Sequence, residues 1–175
     1  MWAFSKKRRF ENRLAKLAET LCPEEKGVHV ALEPSLFADF PKATLEYAMA
    51  ELFVAHRACA LGIGEERVKV YVLNEIDECF LRRFSRLALR QGLDGERLQE
   101  RVELRFGLYD AALSETGEAD LEFFVSTLWS NMAGGTTKNA IGYVYASNVI
   151  DHFTRSRELL SRISNYLVIP EGVSV

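Results

Sequence analysis

Apolar residues recur every three or four positions along six long stretches of this 175-residue chain. Such spacing places apolar side chains on one face of a helix, so it predicts a set of amphipathic helices. The clearest case follows Asp39-Phe40-Pro41, because a capping aspartate and a proline in the first turn are typical of a helix start. Its apolar stripe runs from Leu45 to Ala60, and Gly62 predicts the end of this helix.

The same spacing predicts helices elsewhere in the chain. Pro23 ends a first helix, because proline cannot continue the hydrogen-bond ladder of a helix. Gly92 and Gly117 interrupt the pattern further along the chain. The remaining stripes predict helices over about residues 2–21, 65–90, 95–116, 120–132 and 137–167.

Three short segments also show the alternation of apolar and polar residues that is typical of a strand. These segments are residues 28–32, 67–73 and 102–108. No turn residue separates 67–73 from the helical stripe that follows it, so we favour a helix there. We therefore predict a mainly α, single-domain bundle of five or six helices. An α+β fold, with a small three-stranded sheet built from the three segments, is the alternative.

Composition places the chain among soluble globular proteins. Its hydrophobic content of 48% and charged content of 27% are ordinary for that class. No run of 18 uncharged apolar residues is present, so no transmembrane helix is predicted. The three cysteines, Cys22, Cys59 and Cys79, form no CxxC pair and are odd in number, which favours free thiols in a reducing compartment. We predict a cytoplasmic protein.

Charge is unevenly distributed along the chain. Residues 1–20 hold six basic and two acidic side chains, a local charge of +4, whereas the whole chain carries −3. Aromatic residues beside a basic cluster are typical of segments that bind anionic membranes, although a solvated helix end has the same composition. This helix, residues 1–21, is also a candidate to project from the domain. The candidate membrane or partner contacts are Trp2, Phe4, Lys6, Lys7, Arg8, Arg9 and Phe10.

Arginines recur at fourfold spacing on two consecutive predicted helices. If these helices pack antiparallel, the two rows would line a basic groove for an acidic partner. Nearby glutamates favour a salt-bridged, solvated face instead, and the acidic charge of the whole chain argues against nucleic acid as a partner. The candidate groove residues are Arg82, Arg86, Arg90, Arg97, Arg101 and Arg105.

A glycine-rich loop precedes the last predicted helix. Backbone amides at a helix start, two hydroxyls and a lysine would favour an anion such as phosphate. The glycine spacing is not that of a Walker A loop, and a turn in which glycine and threonine cap two helices explains the same residues. The candidate anion-binding residues are Gly134, Gly135, Thr136, Thr137, Lys138 and Asn139.

Catalytic signatures are missing from the sequence. It contains no GxSxG and no HExxH motif, and His56 and His152 fall on apolar stripes, where hydrogen-bonded core histidines are the simplest interpretation. We therefore predict no catalytic residue, no metal site and no cofactor.

Apolar residues off the main stripes point to a partner surface. Such residues predict burial against another element or against another protein. We therefore expect a non-catalytic interaction protein, such as a regulator, adaptor or assembly chaperone, which binds a protein partner or self-associates. The alternatives are a peripheral membrane protein and a phosphoanion-binding protein or enzyme that uses residues 134–139. The off-stripe residues are Tyr71, Leu81, Leu89, Leu104, Leu108 and Phe123.

Overall fold

The computed structural model describes residues 2–114, 121–133 and 140–171. These residues form no strand, and short 3₁₀ turns lie at Pro34–Leu36 and Ser164–Tyr166. The mainly α prediction is confirmed. The helices are α1 (Trp2–Leu21), α2 (Glu25–Ala31), α3 (Phe40–Gly62), α4 (Glu66–Arg90), α5 (Gly95–Ser114), α6 (Leu121–Ala133) and α7 (Ala140–Arg162).

The α+β alternative is wrong, because the three alternating segments lie in helices α2, α4 and α5. The alternation mixes residues of the inner helix face with exposed ones. Val68 and Val72 are fully buried, four residues apart, whereas Val70 is exposed. Likewise Val28 of α2 is buried while Val30 is exposed. The valines therefore follow the helical period of their longer context.

Helix α3 occupies the centre of the bundle and contacts α2, α4, α5, α6 and α7. Its predicted start is confirmed, since the Asp39 carboxylate accepts a hydrogen bond of 2.9 Å from the backbone nitrogen of Lys42. All residues from Ala43 to Ala50 are buried. A helix that is buried around its whole circumference must find a partner for every polar side chain, and this condition organises the rest of the molecule.

Helix α1 packs along α4, and its apolar residues from Phe10 to Leu21 are buried there. The carbonyl groups at its C-terminus have no partner within the helix. Arg83 of α4 donates hydrogen bonds to the carbonyl oxygens of Cys22 at 2.8 Å and Pro23 at 3.1 Å. His152 of α7 lies 3.3 Å from the Leu21 carbonyl oxygen. Side chains from two other helices thus fix the end of α1.

Aromatic side chains join α3 to α5, α6 and α7. Tyr145 of α7 packs against Tyr47 and Trp129, and Phe53 packs against Tyr109 of α5. Gly62 allows α7 to approach α3 closely, because an added Cβ atom would lie 3.0 Å from the Leu160 side chain. Helices α3 and α7 are therefore in close contact around Gly62.

Candidate functional site: an acidic groove over helix α3

Helices α4 and α5 are joined by a short turn, in which Gly92 adopts a φ of 72°. The two helices leave a groove between them, and α3 forms its floor. The cavity at its centre has a volume of about 440 Å³. A second depression of about 370 Å³ shares His56 and Phe106 with the first and extends towards Leu61 and Leu73. The apolar floor of the central cavity consists of Leu52, Phe80, Leu81, Val102 and Phe106.

The rim of this cavity is acidic. Asp77 and Glu78 of α4 and Glu103 of α5 line it, and no lysine or arginine does so in the part of the chain that the structure describes. Gln99 donates a hydrogen bond of 3.3 Å to the Glu103 carboxylate. We refer to this surface as the acidic groove. Its combination of an apolar floor and a carboxylate rim suits a ligand that is apolar on one side and cationic at its edges.

His56 lies at the junction of the two depressions. Its Nε2 atom is 2.8 Å from the Asp77 Oδ1 atom, although the ring N–H is not aligned with that oxygen as a hydrogen bond requires. The ring also meets Phe106 edge to face, with 5.0 Å between centroids. Arg57 and Asp110 line the second depression. Their ion pair, with 2.9 Å between Nη1 and Oδ1, closes that end of the groove.

Two of the three arginines in the α5 row point into the domain rather than into the groove. Arg101 and Arg105 both bind the carboxylate of Glu46, which is only 1% exposed. Arg101 donates from Nε at 3.0 Å and from Nη2 at 2.6 Å, and Arg105 donates from Nε at 2.6 Å and from Nη2 at 2.9 Å. This hydrogen bonding to Glu46 raises the pKa of Arg105. The three residues form a buried ion cluster between α3 and α5.

The arginine row of α4 faces a different neighbour. Arg82 lies 3.5 Å from Glu19 of α1, and its guanidinium also contacts the Cys79 sulfur at 3.5 Å. Arg86 and Arg90 are exposed, as is Arg97 at the start of α5. The structure therefore does not bring the two predicted rows together, and the groove between the same two helices is acidic.

The other predicted site residues lie in separate places. Phe10 is fully buried, whereas Lys6, Arg8 and Arg9 are exposed. Lys7 pairs with Glu11 at 3.6 Å. The side chains of residues 2 and 4, and the whole candidate anion-binding loop at residues 134–139, lie outside the described residues.

The two core histidines do not face each other. His56 points towards α4 and α5, and His152 lies on α7 at the end of α1. In the described part of the chain, no group of three or more His, Cys, Asp or Glu side chains is arranged to hold a metal ion.

Sequence reasoning missed the acidic groove, although a signal for it exists. Leu73, Asp77 and Leu81 lie four residues apart on α4, and Gln99, Glu103 and Phe106 share one face of α5. These residues predict an acidic surface only when Arg101 and Arg105 are known to bind Glu46, because otherwise the six arginines of the two rows predict a basic surface.

Comparison of the chain with protein-family models, curated proteins and solved structures finds no match. Over the described residues, none of the helices has the length and apolar character needed to cross a membrane. The fold thus defines a mainly α bundle built around a central buried helix, and function has to be argued from its surfaces.

Proposed function

We propose that the protein is a non-catalytic interaction protein that binds a helix of a partner protein in the acidic groove. The observation that carries this proposal is the apolar floor under three carboxylates, Asp77, Glu78 and Glu103, with no lysine or arginine among the described residues that line the central cavity. An amphipathic helix laid into a hydrophobic groove is a recurrent mode of recognition. The carboxylate rim selects a helix whose apolar face is flanked by lysine or arginine.

The dimensions of the acidic groove support this occupant. On α5 its lining residues run from Gln99 to Asp110, which corresponds to about 16 Å at 1.5 Å per residue. That length accommodates about three turns of a partner helix. Leu61 lines the second depression, remains exposed and would extend the apolar contact.

A second copy of this chain is a less suitable occupant. The basic helix α1 has the required charge, but its apolar residues from Phe10 to Leu21 are already buried against its own domain. Its exposed side is polar and would not fill an apolar floor. A regulator, adaptor or assembly chaperone that binds a different protein is therefore the better proposal, and self-association is an outcome to test.

The proposal can be tested with a designed peptide of about fourteen residues. The peptide carries leucines at helical spacing with lysines beside them, and binding is followed by fluorescence anisotropy. The double variant Glu78→Lys/Glu103→Lys reverses two exposed rim charges. Its matched control, Glu96→Lys/Glu100→Lys, reverses two exposed charges on α5 outside the groove.

We expect the peptide to bind the native protein and the control, and to bind the rim variant at least tenfold more weakly. Added salt should reduce the affinity, because exposed charges are screened. Equal binding by the rim variant, or equal binding of a peptide with glutamates in place of lysines, would overturn the proposal. Dimerisation through the groove, detected by light scattering and abolished in the rim variant, would replace the partner helix with a second copy.

A second candidate function rests on the exposed face of α1. Lys6, Arg9, Arg13 and Lys16 follow one another at spacings of three and four, so they form a single exposed basic stripe. Part of this stripe borders an open depression of about 550 Å³ beside Pro170. Near an anionic membrane each basic residue contributes about 1 kcal/mol, so the stripe supports weak peripheral binding.

This membrane proposal predicts co-sedimentation with phosphatidylserine vesicles at low salt. The variant Arg9→Gln/Arg13→Gln should lose most of the binding, and Arg86→Gln/Arg90→Gln is the matched control on another exposed surface. Absence of co-sedimentation by the native protein would exclude the membrane proposal.

We also infer a cytoplasmic location. The three cysteines are free and buried, and burial raises the pKa of the Cys59 thiol to about 12, which suppresses its reactive thiolate form. This is compatible with a reducing compartment. Imaging of a fluorescent fusion in the cells of origin tests it, and a secreted fusion would contradict it.

A further inference from the structure

A polar cavity of about 320 Å³ lies on the opposite side of α3 from the acidic groove. Helices α3 and α7 form two of its walls, and the connection from α1 to α2 forms the third. The polar side chains that α3 and α7 contribute are Tyr47, Glu51, Asn148, His152 and Arg155. We refer to this space, with these five residues, as the polar cavity. Nothing in the proposed partner binding uses it.

Helical periodicity brings these five residues together. Tyr47 and Glu51 lie four residues apart on α3, and Asn148, His152 and Arg155 follow at spacings of four and three on α7. The two helices pack side by side, so the two rows face each other. Polar groups that converge in a concave, partly buried space are typical of small-ligand sites.

Glu51 is the group in this cavity that lacks a partner. Within the described residues its carboxylate accepts no hydrogen bond and forms no direct ion pair. Burial raises its pKa from 4.5 to about 7, and the positive charge of Arg155 opposes this rise. Glu51 is half-buried, and a carboxylate withdrawn from water without a partner is costly unless a cation or a donor reaches it.

The other polar groups around the cavity are engaged or distant. His152 donates from Nε2 to the Leu21 carbonyl oxygen, and burial lowers its pKa, so its ring is neutral near pH 7. Arg155 donates from Nε to the Asp151 carbonyl oxygen at 3.2 Å and is exposed. The Cys22 thiol donates to the Pro23 carbonyl oxygen. At the mouth, the exposed carboxylate of Glu24 adds a second negative charge.

Two neutral polar side chains, Tyr47 and Asn148, line the cavity together with Glu51. The hydroxyl of Tyr47 lies next to the side-chain amide of Asn148, and burial of Tyr47 raises the pKa of its phenol, so the group stays protonated. A hydroxyl oxygen and an amide oxygen both accept hydrogen bonds. The cavity thus offers one carboxylate and two neutral oxygens, which matches the three donors of an ammonium group.

We propose that the polar cavity binds a small primary amine, whose ammonium group pairs with the carboxylate of Glu51 and donates to Tyr47 and Asn148. No covalent step is involved. Binding of the cation favours the ionised form of Glu51, so near pH 7 complex formation releases a fraction of a proton to the solvent.

The proposal is tested by isothermal titration calorimetry with n-propylamine, ethanolamine and putrescine at pH 6 and pH 8. Binding should be about tenfold tighter at pH 8, because a carboxyl with a pKa of about 7 is mostly protonated at pH 6 and mostly ionised at pH 8. Glu51→Gln should abolish binding. Glu96→Gln makes the same chemical change at an exposed residue outside the cavity and should bind like the native protein.

A second measurement does not depend on any variant. Titration of the native protein at pH 7 in two buffers of different ionisation enthalpy should reveal the released proton. Four results would overturn the proposal: no heat from any of the amines at millimolar concentration, equal affinity at pH 6 and pH 8, retained binding in folded Glu51→Gln, or binding of propionate in place of the amines. The rim variant Glu78→Lys/Glu103→Lys should keep amine binding, because the two sites are independent.

Discussion

Glu46 and Glu51 lie five residues apart on the same central helix, yet their surroundings are opposite. Glu46 faces α5 and receives four hydrogen bonds from Arg101 and Arg105. Glu51 faces α7 and receives none in the described structure, and burial raises its pKa to about 7. Burial alone therefore does not decide the state of a carboxylate. The donors that the neighbouring helix supplies decide it.

The comparison also explains the surface of the molecule. Because Glu46 draws Arg101 and Arg105 into the domain, the positive charges of α5 are not available to its groove side. The carboxylates of Asp77, Glu78 and Glu103 then dominate the rim. A structural ion cluster on one side of α5 thus determines the electrostatic character of the proposed binding surface on the other.

The largest expected effect follows from Glu46→Gln. This change leaves two guanidinium groups beside a neutral amide, and removal of one partner from a buried ion pair typically costs about 3–5 kcal/mol. We expect the lower end of that range, because Arg101 is 31% exposed and can reach water. Urea denaturation followed by circular dichroism measures the loss.

The control for this variant is Glu100→Gln, at an exposed residue of α5 that precedes Arg101 in the chain. Its free energy of unfolding should lie within about 0.5 kcal/mol of the native value. If Glu46→Gln is as stable as this control, then the cluster does not hold α5 on α3.

Glu51 should lower the free energy of unfolding as pH rises. Its folded pKa of about 7 exceeds the ordinary 4.5, so the folded protein binds more protons than the unfolded chain between these values. Its contribution to stability is therefore present below pH 4.5, falls as pH rises, and is lost above pH 7. The total change is at most about 3 kcal/mol, at 1.36 kcal/mol for each pH unit between the two pKa values.

The measurement is the difference in unfolding free energy between Glu51→Gln and the native protein from pH 4.5 to pH 8. Taking the difference removes the contribution of His152, whose lowered pKa acts in the opposite direction. The variant should become the more stable protein as pH rises. A difference that is constant with pH would show that Glu51 has a solvated carboxyl.

The two arginines of the cluster, Arg101 and Arg105, should contribute unequally to the free energy of unfolding. Arg105 is 12% exposed and Arg101 is 31% exposed, so a lysine at position 105 has less access to water to compensate for the lost hydrogen bonds. A lysine cannot reproduce the paired donors of a guanidinium. We expect Arg105→Lys to cost about 2 kcal/mol and Arg101→Lys about 1 kcal/mol in thermal or urea unfolding. A larger loss of stability in Arg101→Lys than in Arg105→Lys would show that Arg101 makes the larger contribution.

Much of the fold was predictable from the sequence, and most of the site was not. The start of α3 at Asp39 and its end near Gly62 follow from local capping chemistry, and both are confirmed. The role of Arg101 and Arg105 depends on a contact with Glu46, more than fifty residues away, which no local spacing reveals. For the same reason, no local spacing reveals that Tyr47 and Glu51 of α3 share a cavity with residues of α7.

The smallest effect concerns two glycines, Gly107 within α5 and Gly62 at the end of α3. At Gly107 of α5 the space that an alanine methyl group would occupy is open, so Gly107→Ala should stabilise the protein by about 0.5–1 kcal/mol through the higher helix propensity of alanine. Gly62 ends α3, and a Cβ atom there would lie 3.0 Å from the Leu160 side chain. Gly62→Ala should therefore gain less or lose stability, because α7 has to shift. Thermal unfolding of the two variants decides this, and an equal gain at both positions would show that the α7 side is packed no more tightly than the α5 side.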